Sequence, residues 1–141
     1  MKRTIDGRTG LEIIDPDECR KLLASEDVGR LVVVKDGTPF VFPVNYALDG
    51  DAIVFRTAPG TKLTLGPRGT VAFEIDALDR ASHTGWSVVV TGHLDEVTPY
   101  DAAEFERVTR LPVQPWAGGD KPRWLRLVPT RVSGRRIGTA R

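Results

Sequence analysis

The 141-residue chain has a single cysteine, Cys19, so it can form no internal disulfide and no multi-cysteine metal site. Its longest apolar runs, such as Leu31-Val34 and Val88-Val90, are far shorter than a membrane-spanning helix requires. Met1-Lys2-Arg3-Thr4 leads into polar residues rather than an apolar run, as expected of a chain without a secretory signal. These absences together predict a cytoplasmic protein. Catalytic signatures are missing too: there is no Walker loop, GxGxxG, GxSxG or HExxH. His83 and His93 have no cysteine or carboxylate arrangement suited to zinc, so no metal site is predicted. Glu74 and Asp76 share one strand face, a common surface arrangement that nominates no glycosidase pair, and no side chain stands out as a general acid or other catalytic residue.

What is present is an ordinary globular composition in one domain, 1–141, large enough to bury roughly two-thirds of its unfolded surface. The formal net charge of +1 conceals a polarity along the chain. Residues 121–141 hold seven of the 20 bases and no acid, which leaves 13 bases against 19 acids, a net of −6, in the first 120. A basic tail of this kind can contact nucleic acid, but its plainer reading is a set of counter-charges to the acidic body, and nucleic acid is not the expected partner.

Residues 1–14 read as an arm or short edge strand. Asp15 as cap, Pro16 at the first helical position and Glu18 three residues after the cap then open a helix. The pattern turns to β at Leu31-Val34, followed by hairpin signals at Asp36-Gly37 and Asp49-Gly50 around a strand from Phe40 to Leu48. Further strands are expected at Ala52–Thr57, Thr70–Asp76, Trp86–Val97 and Arg123–Val132. Gly92, inside the longest, signals a bulge, a bend or a close approach. A second helix starts at Thr98-Pro99 and Asp101 and runs to about Leu111, and residues 112–122 form a loop holding Trp116 and Gly118-Gly119. Lys35 to Ala52 leaves no room for a crossover helix, so the early strands are antiparallel neighbours and the expected architecture is a small β-barrel with helical additions.

The stretch FRTAPGTKL, Phe55 to Leu63, ends a strand in a turn rich in donors: Arg56, Thr57, Thr61 and Lys62, with Gly60 permitting close backbone approach. Such a turn can hold a phosphate, since charge-assisted bonds are the strong ones, and it can equally be a solvated surface turn. On the preceding strand Pro43 is anomalous, because proline removes a ladder donor; a bulge there would turn Asn45 and backbone groups toward a ligand. Trp86 and Ser87 open the strand TGWSVVVTG with a flat apolar surface and a hydroxyl, although core packing is the commoner fate of a tryptophan.

FPVNYALDGDAIVFRTAPGTKL followed by GWSVVVTGHLDEV resembles the pyridoxamine 5′-phosphate oxidase-like flavin-binding split barrels, with the small actinobacterial and nitroimidazole-resistance-type members most similar. The resemblance implies a mainly β fold, a six-stranded antiparallel split barrel of Greek-key type with two or three short helices, working as a homodimer. It implies FMN as cofactor, with the deazaflavin F420 as the alternative, and two-electron transfer to a small-molecule substrate; a non-catalytic flavin or haem carrier is the other reading. By that similarity Pro43, Val44 and Asn45 would lie along the ring, Arg56, Thr57, Thr61 and Lys62 would hold the phosphate, and Trp86, Ser87 and Val88 would border the site. The basic final strand around Arg123 to Arg126 would reach the site from the partner subunit. Pyridoxamine phosphate oxidases proper end in a segment containing arginine and histidine, whereas RRIGTAR has no histidine, so oxidation of pyridoxamine phosphate itself is not expected.

Overall fold

The computed structural model describes residues 4–58 and 70–138. Its elements, in chain order, are β1 (Thr4–Ile5), β2 (Glu12–Ile14), α1 (Pro16–Ser25), β3 (Val28–Lys35), β4 (Thr38–Asn45), β5 (Ala47–Asp49), β6 (Ala52–Thr57), β7 (Val71–Asp79), β8 (Thr84–Val97), α2 (Ala102–Thr109) and β9 (Arg123–Ile137). The fold is mainly β and wholly antiparallel in its pairings, with two helices among the described residues. Among the described residues nine strands are present where six were expected. The excess is local: the N-terminal arm forms β1 and β2, two and three residues long, and the expected Phe40–Leu48 strand breaks at Tyr46 to leave a three-residue β5. Tyr46 turns inward there, its backbone N–H donating to Asp27 O (3.0 Å) and its hydroxyl to Leu23 O (2.5 Å). Burial of that phenol raises its pKa.

Both helices start as their sequences predict. The Asp15 carboxylate accepts from Glu18 N at 2.9 Å and that of Asp101 from Glu104 N at 3.2 Å, satisfying N–H groups that have no partner within the helix. The second helix stops at Thr109, short of the expected Leu111. The β3–β4 hairpin turns on Asp36-Gly37, both at positive φ, as a tight two-residue turn demands. In the next hairpin Asp49 still pairs with Ala52, so the turn is Gly50-Asp51 rather than Asp49-Gly50. That register leaves the Asp49 carboxylate to grip Arg107 of α2 at 2.6 and 3.1 Å.

The sheet runs β1-β2-β9-β8-β7-β3-β4, and β9 also pairs with β6. Strand β9 is long enough to serve both sides: residues 123–127 pair with β6 while the β8 register runs from Trp124 to Ile137. Phe55, Phe73, Leu31, Ile53, Ile75, Leu125, Leu127, Val88 and Val90 fill the enclosed side as a single buried cluster. Outside it, α2 seals a second cluster of Val54, Val97, Val108, Val113 and Trp124. The register of β8 on β9 shifts between Thr91 and Gly92, so the predicted irregularity at this glycine is present, with the Val128 carbonyl pressed against it.

Pro43 makes no bulge. The β3–β4 register is unbroken from Val28↔Asn45 to Lys35↔Thr38, with Arg30 opposite Pro43. The proline is tolerated because β4 pairs only with β3 among the described residues and is an edge strand. On the open side β4 and β6 approach each other without pairing. The sheet is therefore not closed.

The basic last strand is matched to the acidic body. Arg123 pairs with Glu96 (2.9 Å), Arg135 with Asp6 (3.2 Å) and Arg136 with Glu18 (3.3 Å), while Arg126 bonds Glu104 and lies 3.5 Å from Asp49. The counter-charge reading of residues 121–141 accounts for these four arginines.

Candidate functional site in the open seam

The gap between β4 and β6 holds a cleft of about 320 Å³. One wall is Phe42 to Asn45 of β4 with Val28 beside it, a second is Arg56 and Thr57 at the end of β6, and the third is Pro115, Trp116, Ala117 and Lys121 from the loop after α2. Alternation along β6 splits its two contributions. Thr57 continues the inward row of Ile53 and Phe55 and is 6% exposed. Arg56 lies on the other face, its guanidinium 5.0 Å from the ring centroid of Trp124, its cross-strand partner. Such stacking of a cation on an indole face is favourable and fixes the arginine's plane.

Arg56 and Asn45 also hold the third wall. Arg56 Nε donates to Lys121 O at 3.1 Å and Nη1 to Val113 O at 3.5 Å, so one side chain bonds the backbone near both ends of the loop. Asn45 Oδ1 accepts from the backbone N–H of Trp116 at 2.8 Å, and its Nδ2 donates to Asp27 O at 3.5 Å. Lys121 Nζ reaches Gly118 O at 3.2 Å and closes the loop on itself. The walls are apolar over most of their area, with a hydroxyl, an amide and two cations at the margins. That combination takes a flat, largely apolar ring whose edge carries carbonyl or anionic groups.

Five of the ten predicted cofactor residues, Pro43, Val44, Asn45, Arg56 and Thr57, thus converge on this cleft from two separate strands. Thr61 and Lys62 lie outside the described residues. Trp86, Ser87 and Val88 do not border the cleft: Val88 is fully buried in the core, Trp86 packs against that core, and Ser87 sits between Asp76 and Arg135 on neighbouring strands. The sequence profile of a family described as pyridoxamine 5′-phosphate oxidase matches residues 15–136. The chain belongs to that family.

Among similar proteins of known structure, a FAD-binding protein from Mycobacterium smegmatis is 36% identical at a TM-score of 0.77, the match covering 91% of this chain and 99% of that one. A FAD-binding protein from Mesorhizobium loti is 26% identical at a TM-score of 0.70, covering 89% and 96% respectively. An uncharacterised protein of Mycobacterium tuberculosis is 35% identical over 131 residues, or 88% of this chain and 84% of that relative.

Within the oxidase-family fold the loop wall is what the sequence did not nominate. Pro115, Trp116, Ala117 and Lys121 read as an unstructured connection; their one signal is a tryptophan in a proline- and glycine-rich loop, where it has no helix or strand face to pack. A second cleft, about 600 Å³, lies between α1, the β5–β6 turn and the middle of β9. Its charges largely cancel one another, Arg20 lying 3.2 Å from Asp51 and Arg126 3.5 Å from Asp49. On the outer face of the sheet, Glu74 and Asp76 flank Arg30 at 3.6 and 3.5 Å. Glu74 Oε1 is buried without a hydrogen bond, and burial, reinforced by neighbouring Asp76, pushes this carboxyl up to about 7. No group of three or more metal-ligating side chains exists among the described residues, and no described helix is long and apolar enough to cross a membrane.

Proposed function

We propose that this chain binds a flavin nucleotide in the β4–β6 cleft and serves as a flavin-dependent oxidoreductase acting on a small molecule. The observation that carries the reading is the convergence of Pro43, Val44, Asn45, Arg56 and Thr57 on one apolar cleft with a cationic margin. Two relatives named for FAD binding support a flavin over other rings and favour FAD alongside the FMN expected from the phosphate-type turn. When bound, the flavin supplies two-electron chemistry. The chain's own part is positional and electrostatic. The β4 wall and Thr57 offer backbone and hydroxyl groups to the ring edge. Arg56 places positive charge beside it, held by Trp124 and the loop carbonyls against drifting into solvent. The cytoplasm is the proposed setting.

The same reading includes a second copy of this chain as partner. The outward row Val41, Val32, Ala72 and Thr91 forms a face that is apolar over its first three residues and that Val34 extends in the open. Arg131 lies beyond Thr91 at the β9 end of this row, and Glu74 and Asp76, with Arg30 beside them, lie along β7 from Ala72. A two-fold copy would bury this apolar face. Light scattering on the purified protein tests this, and a monomer at all concentrations overturns it.

The decisive experiment is the visible absorption spectrum of protein purified without added cofactor, then after adding FMN, FAD or F420. Chromatography of the ring released on denaturation identifies it. Co-eluting FAD or FMN supports the proposal, and anaerobic bleaching by NADH or NADPH adds the redox part. Retention of F420 alone moves the site to deazaflavin chemistry, and retention of none sinks the reading.

A further inference from the structure

Trp116 is 75% exposed, yet it borders the cleft and its backbone is pinned. Leaving a large indole in water forfeits the burial that normally accounts for a tryptophan's place in a fold. A mobile loop tip could carry such a residue by chance; this loop is not left to chance. Asn45, 71 residues earlier in the chain, accepts the Trp116 N–H at 2.8 Å. Arg56 holds Val113 O on one side and Lys121 O on the other. Those two anchors come from β4 and β6, the very strands whose failure to pair creates the cleft. The β4 lining of the same cleft, Phe42, Pro43 and Val44, carries no side-chain donors.

From these contacts we infer that Trp116 is a binding residue that stacks on the planar ring held in the β4–β6 cleft, with Asn45 as the positioning residue that presents it. The inference rests on the proposed flavin site and deepens it by assigning the ring's second wall to the loop after α2. The edge of β4 forms one side of the slot and the indole the other. The ring binds by its flat faces, independently of whatever holds its phosphate.

Riboflavin, which has the ring and no phosphate, is therefore the informative probe beside FMN. In fluorescence titrations Trp116→Ala is expected to raise Kd for both by the same factor, about 10-fold, in the range for stacking a flat heteroaromatic ring on an indole. Trp116→Phe, which keeps a smaller aromatic face, should cost no more than about 3-fold, and the bound ring should fluoresce more brightly because the quenching indole is gone. Tyr100→Ala, at a fully exposed position outside the cleft lining, should match the wild type. Unchanged affinity in Trp116→Ala overturns the assignment while leaving the flavin site standing. So does a loss confined to FMN, which would place the indole at the phosphate end. A wild type that binds neither probe overturns the flavin reading itself and this inference with it.

Discussion

The two sides of the sheet are built on opposite terms. Strands β8 and β9 pair from Gly85↔Ile137 to Val97↔Trp124, the longest ladder in the molecule, and their inward residues Val88, Val90, Leu125 and Leu127 are almost fully buried. At the open side, β4 and β6 exchange no ladder bonds among the described residues, and side chains do the joining: Asn45 and Arg56 reach over to the loop after α2. A continuous ladder satisfies every backbone group locally and leaves nothing for a ligand. An open seam leaves polar edges and apolar walls that something else must complete. The stabilising contacts and the proposed site therefore lie on different strands, and each can be broken separately.

The largest effect is expected from breaking the ladder at its one irregularity. A Cβ on Gly92 would stand 2.0 Å from Val128 O and 3.0 Å from Pro129 Cα, both backbone atoms that cannot rotate away. Gly92→Ala should destabilise the fold by at least about 2 kcal/mol, the cost of overpacking where neither partner yields. Urea unfolding followed by circular dichroism measures it. A wild-type midpoint would mean that the bulge can slide by a residue, and the ladder would no longer be the rigid half of the comparison.

Breaking the open seam should cost less and do something different. Asn45→Ala removes the acceptor for Trp116 N and the donor to Asp27 O, at a site partly open to solvent, for a loss of about 1 kcal/mol. Its sharper consequence is local: freed from β4, the loop should be cut by chymotrypsin after Trp116 several times faster, while the β8–β9 ladder stays protected. Equal cutting of variant and wild type would show that Arg56 alone holds the loop.

What could be read beforehand follows the same division. Local rules govern the ladder side, so Asp15-Pro16-Glu18 announced α1 and Gly92 announced the register shift. The cleft was legible only as two fragments, Pro43–Asn45 and Arg56–Thr57, because each lies on a strand with its own pattern. Nothing local says that these strands fail to pair. For that reason Pro43 read as a bulge: a proline looks the same in a bulge and on an edge, and only the topology separates them. The Trp116 wall was invisible for a related reason. Its bond to Asn45 spans 71 residues and repeats with no period. Trp86 stands in a motif that looked functional, and its side chain also packs against the core.

The smallest effect is also the one that distinguishes the two sides by sign. Glu74, on β7 in the continuously paired part of the sheet, has its carboxyl raised from 4.5 to about 7, first by burial and then by Asp76. The folded state thus binds a proton that the unfolded state releases, and the stability this contributes is full below about 4.5 and lost as pH rises through about 7. Asp49, at the β5–β6 hairpin, is shifted the other way: its hydrogen bonds to Arg107 lower its pKa below 3.8, so its contribution is present above that value and fades as pH falls through the lowered one. Glu74→Gln removes only the first of these. The variant should keep the wild type's loss of stability in acid, show a flatter profile between pH 5 and about 7, and become the more stable protein above neutrality, where the wild type holds a half-buried anion with Arg30 no nearer than 3.6 Å. Urea midpoints taken across that interval decide it. Parallel profiles for the two proteins would mean that the Arg30 guanidinium closes onto Glu74 in solution and neutralises it, making this carboxylate a stabilising partner of the ladder side rather than a charge that side merely tolerates.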